Sequence, residues 1–213
     1  MEKYILLDFD GTFADSKNVV FTIYNTLAEK HNFKKVVLKD VNTLKKWSIK
    51  KSCEFLNIPL YKLPVLAAEF AKLYYSSLKE ISPITGMKEV LAQLDIAEYK
   101  LVFISSNTKK NIKEFLACNE LHGIFNILCS NNIFGKDKII QKFMKSHNLT
   151  KTDVLYVGDE IRDIKACKKS NIDIIWVEWG YDDLKTAIKE EPAYIAKKPE
   201  DILKIAEFVF NND

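Results

Sequence analysis

Short apolar runs alternate along most of the chain with segments whose apolar residues recur every three or four positions. The runs predict strands buried on both faces, and the segments between them predict amphipathic helices. The predicted strands are Tyr4–Leu7, Leu101–Ser105, Ile124–Cys129, Val154–Val157, Ile172–Val177 and Tyr194–Ala196. The predicted helices are Met87–Leu94, Thr108–Cys118, Lys136–His147, Ile161–Lys169, Asp183–Glu190 and Pro199–Phe210. This alternation predicts an α/β fold with a doubly wound parallel sheet.

Residues 15–81 interrupt the alternation, because one helical pattern follows another with no strand between them. These predicted helices are Ser16–His31, Val41–Trp47, Lys50–Leu56 and Leu60–Leu78. Ser82-Pro83 and Gly86 mark the return to the sheet. We therefore expect a core domain of residues 1–14 and 82–213, with a helical domain of residues 15–81 inserted after the first strand.

Composition narrows the class of protein. The chain has 213 residues, of which 47% are hydrophobic and 29% charged, and its net charge of +3 comes from interspersed charges of both signs. This is typical of a soluble globular protein and argues against a dedicated nucleic-acid surface. There is no signal-peptide pattern and no run approaching the ~20 apolar residues of a membrane span. The four cysteines form no C-x-x-C pair and no zinc spacing, so we expect a cytoplasmic protein with reduced thiols.

The first strand ends in two acids, in the sequence Asp8-Phe9-Asp10-Gly11-Thr12. Residues two apart on a strand share a face, so both carboxylates should crowd one spot at the carboxyl end of the sheet, where ligands bind in such folds. Two carboxylates held close together repel unless a cation joins them, and Mg²⁺ prefers oxygen ligands. Taken alone, the pair is equally consistent with solvated turn residues or helix caps.

Three further features follow at strand ends or helix starts. Ser105-Ser106-Asn107 ends a strand and precedes a helix, where hydroxyls and backbone N–H groups can bind an anion or merely cap the helix. Lys136 precedes another helix and could balance negative charge, although one lysine among many is more often a solvated one. Gly158-Asp159, with Asp163 four residues further on, could supply a metal ligand and a supporting acid, or simply complement a helix dipole.

Taken in order, D-x-D-G-T, S-N, K and G-D-x-x-x-D resemble the motifs of the haloacid dehalogenase-like (HAD) hydrolase superfamily, over essentially the whole chain. The segment Trp176–Tyr181 and the stretch Pro192–Pro199 resemble its phosphoglycolate-phosphatase-like branch. The resemblance implies a Rossmann-like core with a helical cap domain, and a phosphatase that acts on a small phosphorylated metabolite. Since Arg162 is the only arginine, the phosphate should be met by lysine, hydroxyls, backbone N–H groups or a metal.

The resemblance also implies the chemistry at the first motif. Asp8 would be the nucleophile that forms an aspartyl-phosphate, and Asp10 the general acid and then the base. Gly11 would let the backbone approach the phosphate closely. Ser106 would hold phosphoryl oxygens together with the N–H groups of Phe9 and Asn107.

Cation chemistry is implied in the same way. Mg²⁺ would be bound by Asp8, by the backbone carbonyl of Asp10, by Asp159, and by Asp163 directly or through water. Lys136 would tie the nucleophile to the phosphate. Many relatives have a proline after this lysine, whereas here the sequence continues Asp137-Lys138, which leaves Lys138 as the other choice.

Two alternative functions stay open at this point. One is a phosphosugar mutase of the same superfamily, because Lys50 resembles the basic cap-loop position of such mutases, although a solvated helix-end lysine explains it as well. The other is a phospho-acceptor signalling domain, which also combines Asp, Ser or Thr, Lys and Mg²⁺ on a doubly wound sheet. Such domains are shorter and have no helical insertion after the first strand. We further expect the inserted domain to open and close over the sheet edge, with hinges near Ala14–Asp15 and Ser82–Pro83.

Overall fold

The computed structural model describes residues 2–37, 40, 43, 44, 47, 49–121, 126–130 and 135–211. Within it the chain forms two compact units, one of residues 1–15 with 82–213 and the other of residues 16–81. The chain leaves and re-enters the first unit at neighbouring points, because the Asp15 N–H donates to the Ser82 carbonyl at 2.9 Å. Positions 41, 42, 45 and 46 of the predicted helix Val41–Trp47, and positions 124 and 125 of the predicted strand Ile124–Cys129, lie outside the described residues.

The first unit is built on a six-stranded sheet in which all strand pairs are parallel and the order is β3-β2-β1-β4-β5-β6. The strands are β1 Tyr4–Leu7, β2 Lys100–Ser105, β3 Asn126–Cys129, β4 Val154–Gly158, β5 Asp173–Val177 and β6 Tyr194–Ala196. The chain adds strands on one side of β1 and then on the other, so the strand order reverses between β1 and β4. Ligands bind beyond the carboxyl ends of the strands at such a switch point. The predicted fold class is confirmed.

Helices separate the strands of the first unit. We number all helices in chain order, so those of this unit are α4 Met87–Ile96, α5 Lys109–Cys118, α6 Lys136–Ser146, α7 Ile161–Ser170, α8 Leu184–Ile188 and α9 Glu200–Asn211. A capping residue sets the start of α5, because the Thr108 side chain accepts from the Asn111 N–H at 3.1 Å. The Asp183 side chain accepts from the Thr186 N–H at 3.0 Å in the same way, so α8 begins one residue later than predicted.

The sheet is buried on both faces. All four residues of β1 are buried, as a central parallel strand requires. On one face, Leu6 packs in an apolar cluster with residues of β2, β4, β5, α6 and α7. On the other, Phe9, Phe13, Phe103 and Phe115 form an aromatic group with ring centroids 5.0–6.5 Å apart. This packing fixes the backbone directly behind β1.

The second unit is helical in its described part, with α1 Lys17–Lys30, α2 Ile49–Leu56 and α3 Leu63–Ser76. The predicted helix Leu60–Leu78 is divided into a 3₁₀ turn Leu60–Lys62, the helix α3 and a second 3₁₀ turn Leu78–Glu80. Proline explains the first division, because Pro64 lies in the first turn of α3, where a missing N–H is tolerated. None of the described helices is long and apolar enough to cross a membrane.

Candidate active site

The two acids of the first motif lie on a tightly folded segment behind β1. Phe9, between them, packs into the core, with its ring centroid 5.0 Å from that of Phe115. The two acids have polar partners instead, Lys136 for Asp8 and Asn107 for Asp10. Asp8 is 2% exposed, and its backbone N–H continues the sheet by donating to the Val157 carbonyl at 2.9 Å.

Gly11 turns this segment with a φ of +84°, a conformation that L side chains rarely adopt. A Cβ there would lie 2.3 Å from the ring of Tyr181 and 2.5 Å from Oδ2 of Asp159. The sequence predicted close approach of this backbone to a phosphate. In the structure, the atoms closest to this position are those of Asp159 and of Tyr181, which belongs to the β5–α8 loop (residues 178–183).

Lys136 lies between two buried acids. Its Nζ is 2.6 Å from Oδ2 of Asp8 and 2.7 Å from Oδ1 of Asp163, and all three side chains are at most 3% exposed. The hydroxyl of Tyr156 donates to the same Asp163 oxygen at 3.4 Å. Lys138, the other lysine considered from the sequence, is exposed. The structure therefore pairs Lys136, and not the exposed Lys138, with Asp8.

Burial dominates the electrostatics of this ion pair. Burial raises the pKa of Asp8, which the Lys136 ammonium lowers and the Asp163 carboxylate raises, and the outcome is a pKa of about 7. Burial alone would lower the pKa of Lys136, but Asp163 and Asp8 outweigh it and raise that pKa above its usual range. The lysine therefore keeps its proton at neutral pH, while Asp8 titrates there unless more positive charge is supplied.

Asp159 is fully buried and is held by hydrogen bonds. Its Oδ1 accepts from the Thr12 hydroxyl at 2.7 Å, and its Oδ2 accepts from the Tyr181 N–H at 2.6 Å. Its backbone carbonyl accepts from the Trp176 indole at 2.8 Å. Burial, and then Glu160 and the other acids nearby, raise the pKa of Asp159 well above its usual range, and the Tyr181 N–H lowers it.

Asp163 belongs to the first turn of α7, where it forms a capping box with Glu160. Each side chain accepts from the other residue's backbone N–H, which satisfies two donors that a helix start leaves free. Arg162 pairs with Glu160, its Nε donating to Oε2 at 2.5 Å. The chain's single arginine is therefore engaged with an acid of this helix start.

The segment that follows β2 contacts the first motif through Asn107. Its Nδ2 donates to Oδ2 of Asp10 at 2.9 Å, and its Oδ1 accepts from Asn111 Nδ2 at 2.9 Å. The Asn107 N–H donates to the hydroxyl of Ser105 at 3.0 Å, while Ser106 is half-buried. The asparagine thus orients the second acid of the first motif.

Two further predicted site groups, the Phe9 N–H and Lys50, have the following surroundings in the structure. The Phe9 N–H, expected to hold a phosphoryl oxygen, donates to Oδ1 of Asp8 at 2.7 Å. Lys50, predicted as a substrate residue, lies in the second unit, on α2, and its side chain is exposed.

Comparison with known proteins shows to which family the chain belongs. The family model described as "Haloacid dehalogenase-like hydrolase" matches residues 5–177, which include every acid described above and Lys136. The chain belongs to the haloacid dehalogenase-like hydrolase family. The predicted enzyme class, a HAD-like phosphoric monoester hydrolase, is thereby confirmed.

Individual relatives point to one branch of the HAD family. The chain is 26% identical over 201 residues to the phosphoglycolate phosphatase of Synechococcus elongatus, covering 94% of this chain and 95% of that protein. It is 26% identical over 215 residues to the phosphoglycolate phosphatase of Aquifex aeolicus, covering 95% and 96%. A predicted phosphatase from Clostridium acetobutylicum has the same fold, with a TM-score of 0.82 at 21% identity, covering 97% of this chain and 99% of that one. The predicted phosphoglycolate-phosphatase-like branch is confirmed.

The donor set of this HAD site fits a divalent cation. Carboxylate oxygens of Asp8, Glu160 and Asp163 lie within 4.8 Å of one another. Oδ2 of Asp8 faces Lys136 as an ion pair but has no hydrogen-bond partner among the residues that the structure describes. Hard oxygen ligands and an excess of buried negative charge are what Mg²⁺ requires. Asp159 is not a member of this three-acid group, and each of its carboxylate oxygens accepts one hydrogen bond, Oδ1 from Thr12 and Oδ2 from Tyr181.

Reasoning from the sequence missed several groups at this site. Motif spacing predicts no role for Thr12, whose hydroxyl donates to Asp159, or for Glu160, which forms the capping box with Asp163. The segment Trp176–Tyr181 indicates only a family resemblance, yet the Tyr181 N–H donates to Asp159. The rule that ligands gather at carboxyl ends of parallel strands could have found them, because Trp179-Gly180-Tyr181 follows a strand end.

Proposed function

We propose that this HAD hydrolase is a Mg²⁺-dependent phosphatase that hydrolyses a small phosphate monoester through an aspartyl-phosphate on Asp8. The observation that carries the proposal is the pairing of buried Asp8 with Lys136 at 2.6 Å, in contact with Asp163 and beside Asp10. A buried carboxylate with a fixed cation is a ready nucleophile, provided that enough positive charge keeps it ionised.

The reaction divides into two displacements. In the first, a carboxylate oxygen of Asp8 attacks phosphorus, and the bond between phosphorus and the leaving-group oxygen breaks. Asp10 gives its proton to this leaving-group oxygen. In the second, Asp10 takes a proton from water, whose oxygen attacks phosphorus, and the bond to Asp8 breaks to release phosphate. The hydrogen bond from Asn107 to Asp10 supports this role, because it holds the carboxyl in one orientation.

Charge on the phosphoryl group would be met by residues already close to it. Lys136 supplies a permanent positive charge at Asp8, and Ser106 with Asn107 would bind phosphoryl oxygens. Gly11 would let its backbone approach the phosphate on the side away from Tyr181 and Asp159, which lie where its Cβ would be. The N–H groups of Phe9 and Asn107 could assist only by leaving Asp8 and Ser105.

We assign the cation site to Asp8, the Asp10 carbonyl, Asp159 and Asp163, with Mg²⁺ as the ion. When bound, Mg²⁺ supplies the positive charge that keeps the carboxylates ionised and offsets charge on the phosphoryl oxygens. The residues themselves orient these groups, because Lys136 holds Asp8 and Asp163 together while Thr12 and Tyr181 hold Asp159.

A small phosphorylated acid such as phosphoglycolate is the first substrate to test, because the two curated relatives described above are named phosphoglycolate phosphatase. The second unit would act as the cap domain, residues 15–81 with the core formed by 1–14 and 82–213, and would select the leaving group by closing. The helical insertion after β1 supports this assignment. We infer a cytoplasmic location, since all four cysteines are unpaired.

The deciding experiment is release of inorganic phosphate from a panel of phosphate monoesters, with and without Mg²⁺ and EDTA. We expect turnover of a small monoester that requires the divalent cation, because several buried acids cannot all stay ionised without it. Undiminished turnover after thorough chelation would refute the role of the metal. Isomer formation without phosphate release would identify a mutase, and a long-lived phospho-form would identify a signalling domain.

A further inference from the structure

The β5–α8 loop contacts both acid-bearing segments of the core. The indole of Trp179 donates to the Thr12 carbonyl at 3.1 Å, and the Tyr181 N–H donates to Oδ2 of Asp159 at 2.6 Å. Asp182 accepts from the first N–H group of α7 at 2.7 Å. One loop therefore ties the turn behind β1 to the turn behind β4.

Asp159 is the residue on which these contacts converge. Besides the bonds from Thr12 and Tyr181 to its carboxylate, its own carbonyl accepts from the Trp176 indole at 2.8 Å. Gly180 lies so close that an added Cβ would be 2.0 Å from Cβ of Asp159 and 2.3 Å from its Oδ2. Both the backbone and the carboxylate of Asp159 are thus held from the β5 side of the sheet.

Each carboxylate oxygen has two acceptor positions, and one hydrogen bond to each oxygen leaves the other position available. The bonds consequently orient the group without using up its capacity for a cation. Carboxylates that bind metals are themselves hydrogen-bonded, and loss of such outer partners typically lowers metal affinity or activity about 10- to 100-fold.

We propose that Trp176, Gly180 and the Tyr181 backbone are positioning residues for Asp159, which set the direction of its oxygens toward the divalent cation. This inference rests on the proposed function, in which Asp159 is a cation ligand. The competing explanation is that the loop only adds stability to the carboxyl edge of the sheet. The two differ in cation affinity, which a purely stabilising loop would leave unchanged.

Gly180→Ala tests the proposal, with Gly86→Ala as its control. Gly180 has an ordinary backbone conformation, so the added methyl group acts only by displacing Asp159 or the loop. Gly86 has a φ of +90°, and a Cβ there would come no closer than 3.5 Å to any neighbour, at Pro199. The control therefore strains the backbone away from the site and should lower stability without moving Asp159.

Binding is measured on the full-length protein from the free Mn²⁺ electron paramagnetic signal, with Mg²⁺ as competitor. We expect Gly180→Ala to weaken cation binding about 10- to 100-fold. Its kcat should recover at saturating Mg²⁺, whereas Gly86→Ala should bind as the wild type does. Trp176→Phe keeps an aromatic ring but removes the donor to the Asp159 carbonyl, and it decides the question if Gly180→Ala does not fold.

The proposal is overturned if folded Gly180→Ala, or Trp176→Phe in its place, binds the cation as tightly as the wild type while Asp159→Asn does not. If the wild type and Asp159→Asn bind the cation equally, the assignment of Asp159 as a ligand fails, and the failure belongs to the proposed function.

Discussion

Strand β4 has a buried aspartate beyond each of its ends, and the two are used in opposite ways. Asp153 precedes the strand and accepts from the Thr150 hydroxyl at 2.6 Å and the Thr150 N–H at 2.9 Å, and it lies 3.6 Å from Lys3. Asp159 follows the strand and lies among other acids. The pKa of Asp153 is lowered, first by its hydrogen bond from the Thr150 side chain, whereas burial raises that of Asp159.

The difference shows how one strand serves both stability and chemistry. At the amino end, an acid is surrounded by donors, so its ionised form stabilises the fold. At the carboxyl end, the acids outnumber the nearby cations Lys136 and Arg162, and their ionisation opposes folding, an effect that the proposed cation would relieve. Active sites commonly carry such destabilising groups, and the remaining core compensates for them.

Asp8→Asn should have the largest effect on turnover, and it separates the role of the acids at the carboxyl edge of the sheet from that of Asp153 at the amino edge. The amide keeps the shape but cannot act as an anionic nucleophile, so we expect turnover to fall by about a hundredfold or more. Because burial raises the pKa of Asp8 to about 7, the ionised acid disfavours folding as the pH rises toward that value. The variant should therefore melt at the same temperature as the wild type or higher, when both are scanned in EDTA at neutral pH.

Turnover of Asp8→Asn within about threefold of the wild type, roughly 0.6 kcal/mol, would contradict the assignment of the nucleophile. Asp153→Asn is the matched control, since it changes the same chemical group on the same sheet at the opposite end.

Lys136→Met should have the next largest effect, with Lys138→Met as its control. Removing the ammonium leaves Asp8 and Asp163 buried without their shared partner, and breaking a buried ion pair costs about 3–5 kcal/mol. The loss of unfolding free energy should shrink as the pH falls below neutral, because protonation of Asp8 removes the unpaired charge. Urea unfolding of both variants at several pH values in EDTA measures this.

Lys138 is exposed, so its removal should change stability by no more than about 0.5 kcal/mol and leave turnover intact. Equal effects of the two substitutions would show that the described ion pairs do not control the site.

The sequence was sufficient to place the main residues of the candidate site at one edge of the sheet, because each follows a recognisable strand or begins a recognisable helix. The apolar run before Asp8 and the one before Asp159 place these acids at strand ends, and the parallel sheet brings those ends to one edge. The features of the site that were not predicted depend on contacts between residues far apart in the sequence. The Thr12 hydroxyl reaches Asp159 across 147 residues, and no local pattern predicts that bond.

The predicted boundaries of one helix were wrong for a related reason. Periodicity continues through Leu60–Leu78, yet the backbone changes to 3₁₀ turns at both ends of α3. The orientation of the Glu160 side chain could not be predicted from the sequence either, because it is set by the capping box with Asp163 and the pairing with Arg162. Sequence spacing gives the face of a helix on which a residue lies but not which of several partners its side chain will choose.

Asp153→Asn should lower stability modestly and leave turnover unchanged. It weakens a capping interaction, and such losses are typically about 1 kcal/mol. The pKa of Asp153 is lowered by folding, so its contribution is complete above the unfolded-state value, about 3.9, and disappears as the pH falls through the folded value. The wild type and the variant should therefore differ in unfolding free energy near neutral pH and converge in acid. A difference that grows on acidification would reverse the sign of this argument.

Lys50→Ala should have the smallest effect and bears on the mutase alternative. Lys50 is exposed on α2, and substitutions at such positions usually change stability by no more than about 0.5 kcal/mol. If the protein is a phosphatase of small monoesters, kcat/KM should stay within about threefold of the wild type, because a solvated lysine adds little to binding. Phosphate release and sugar-phosphate isomer formation are measured side by side on both proteins, with Lys51→Ala, its exposed neighbour, as the control.

A loss of kcat/KM of more than about tenfold, roughly 1.4 kcal/mol, in Lys50→Ala alone would mean that this lysine contacts the substrate. If isomer formation disappeared with it, the second unit would be selecting for phosphoryl transfer back to the sugar, and the phosphatase proposal would give way to the mutase.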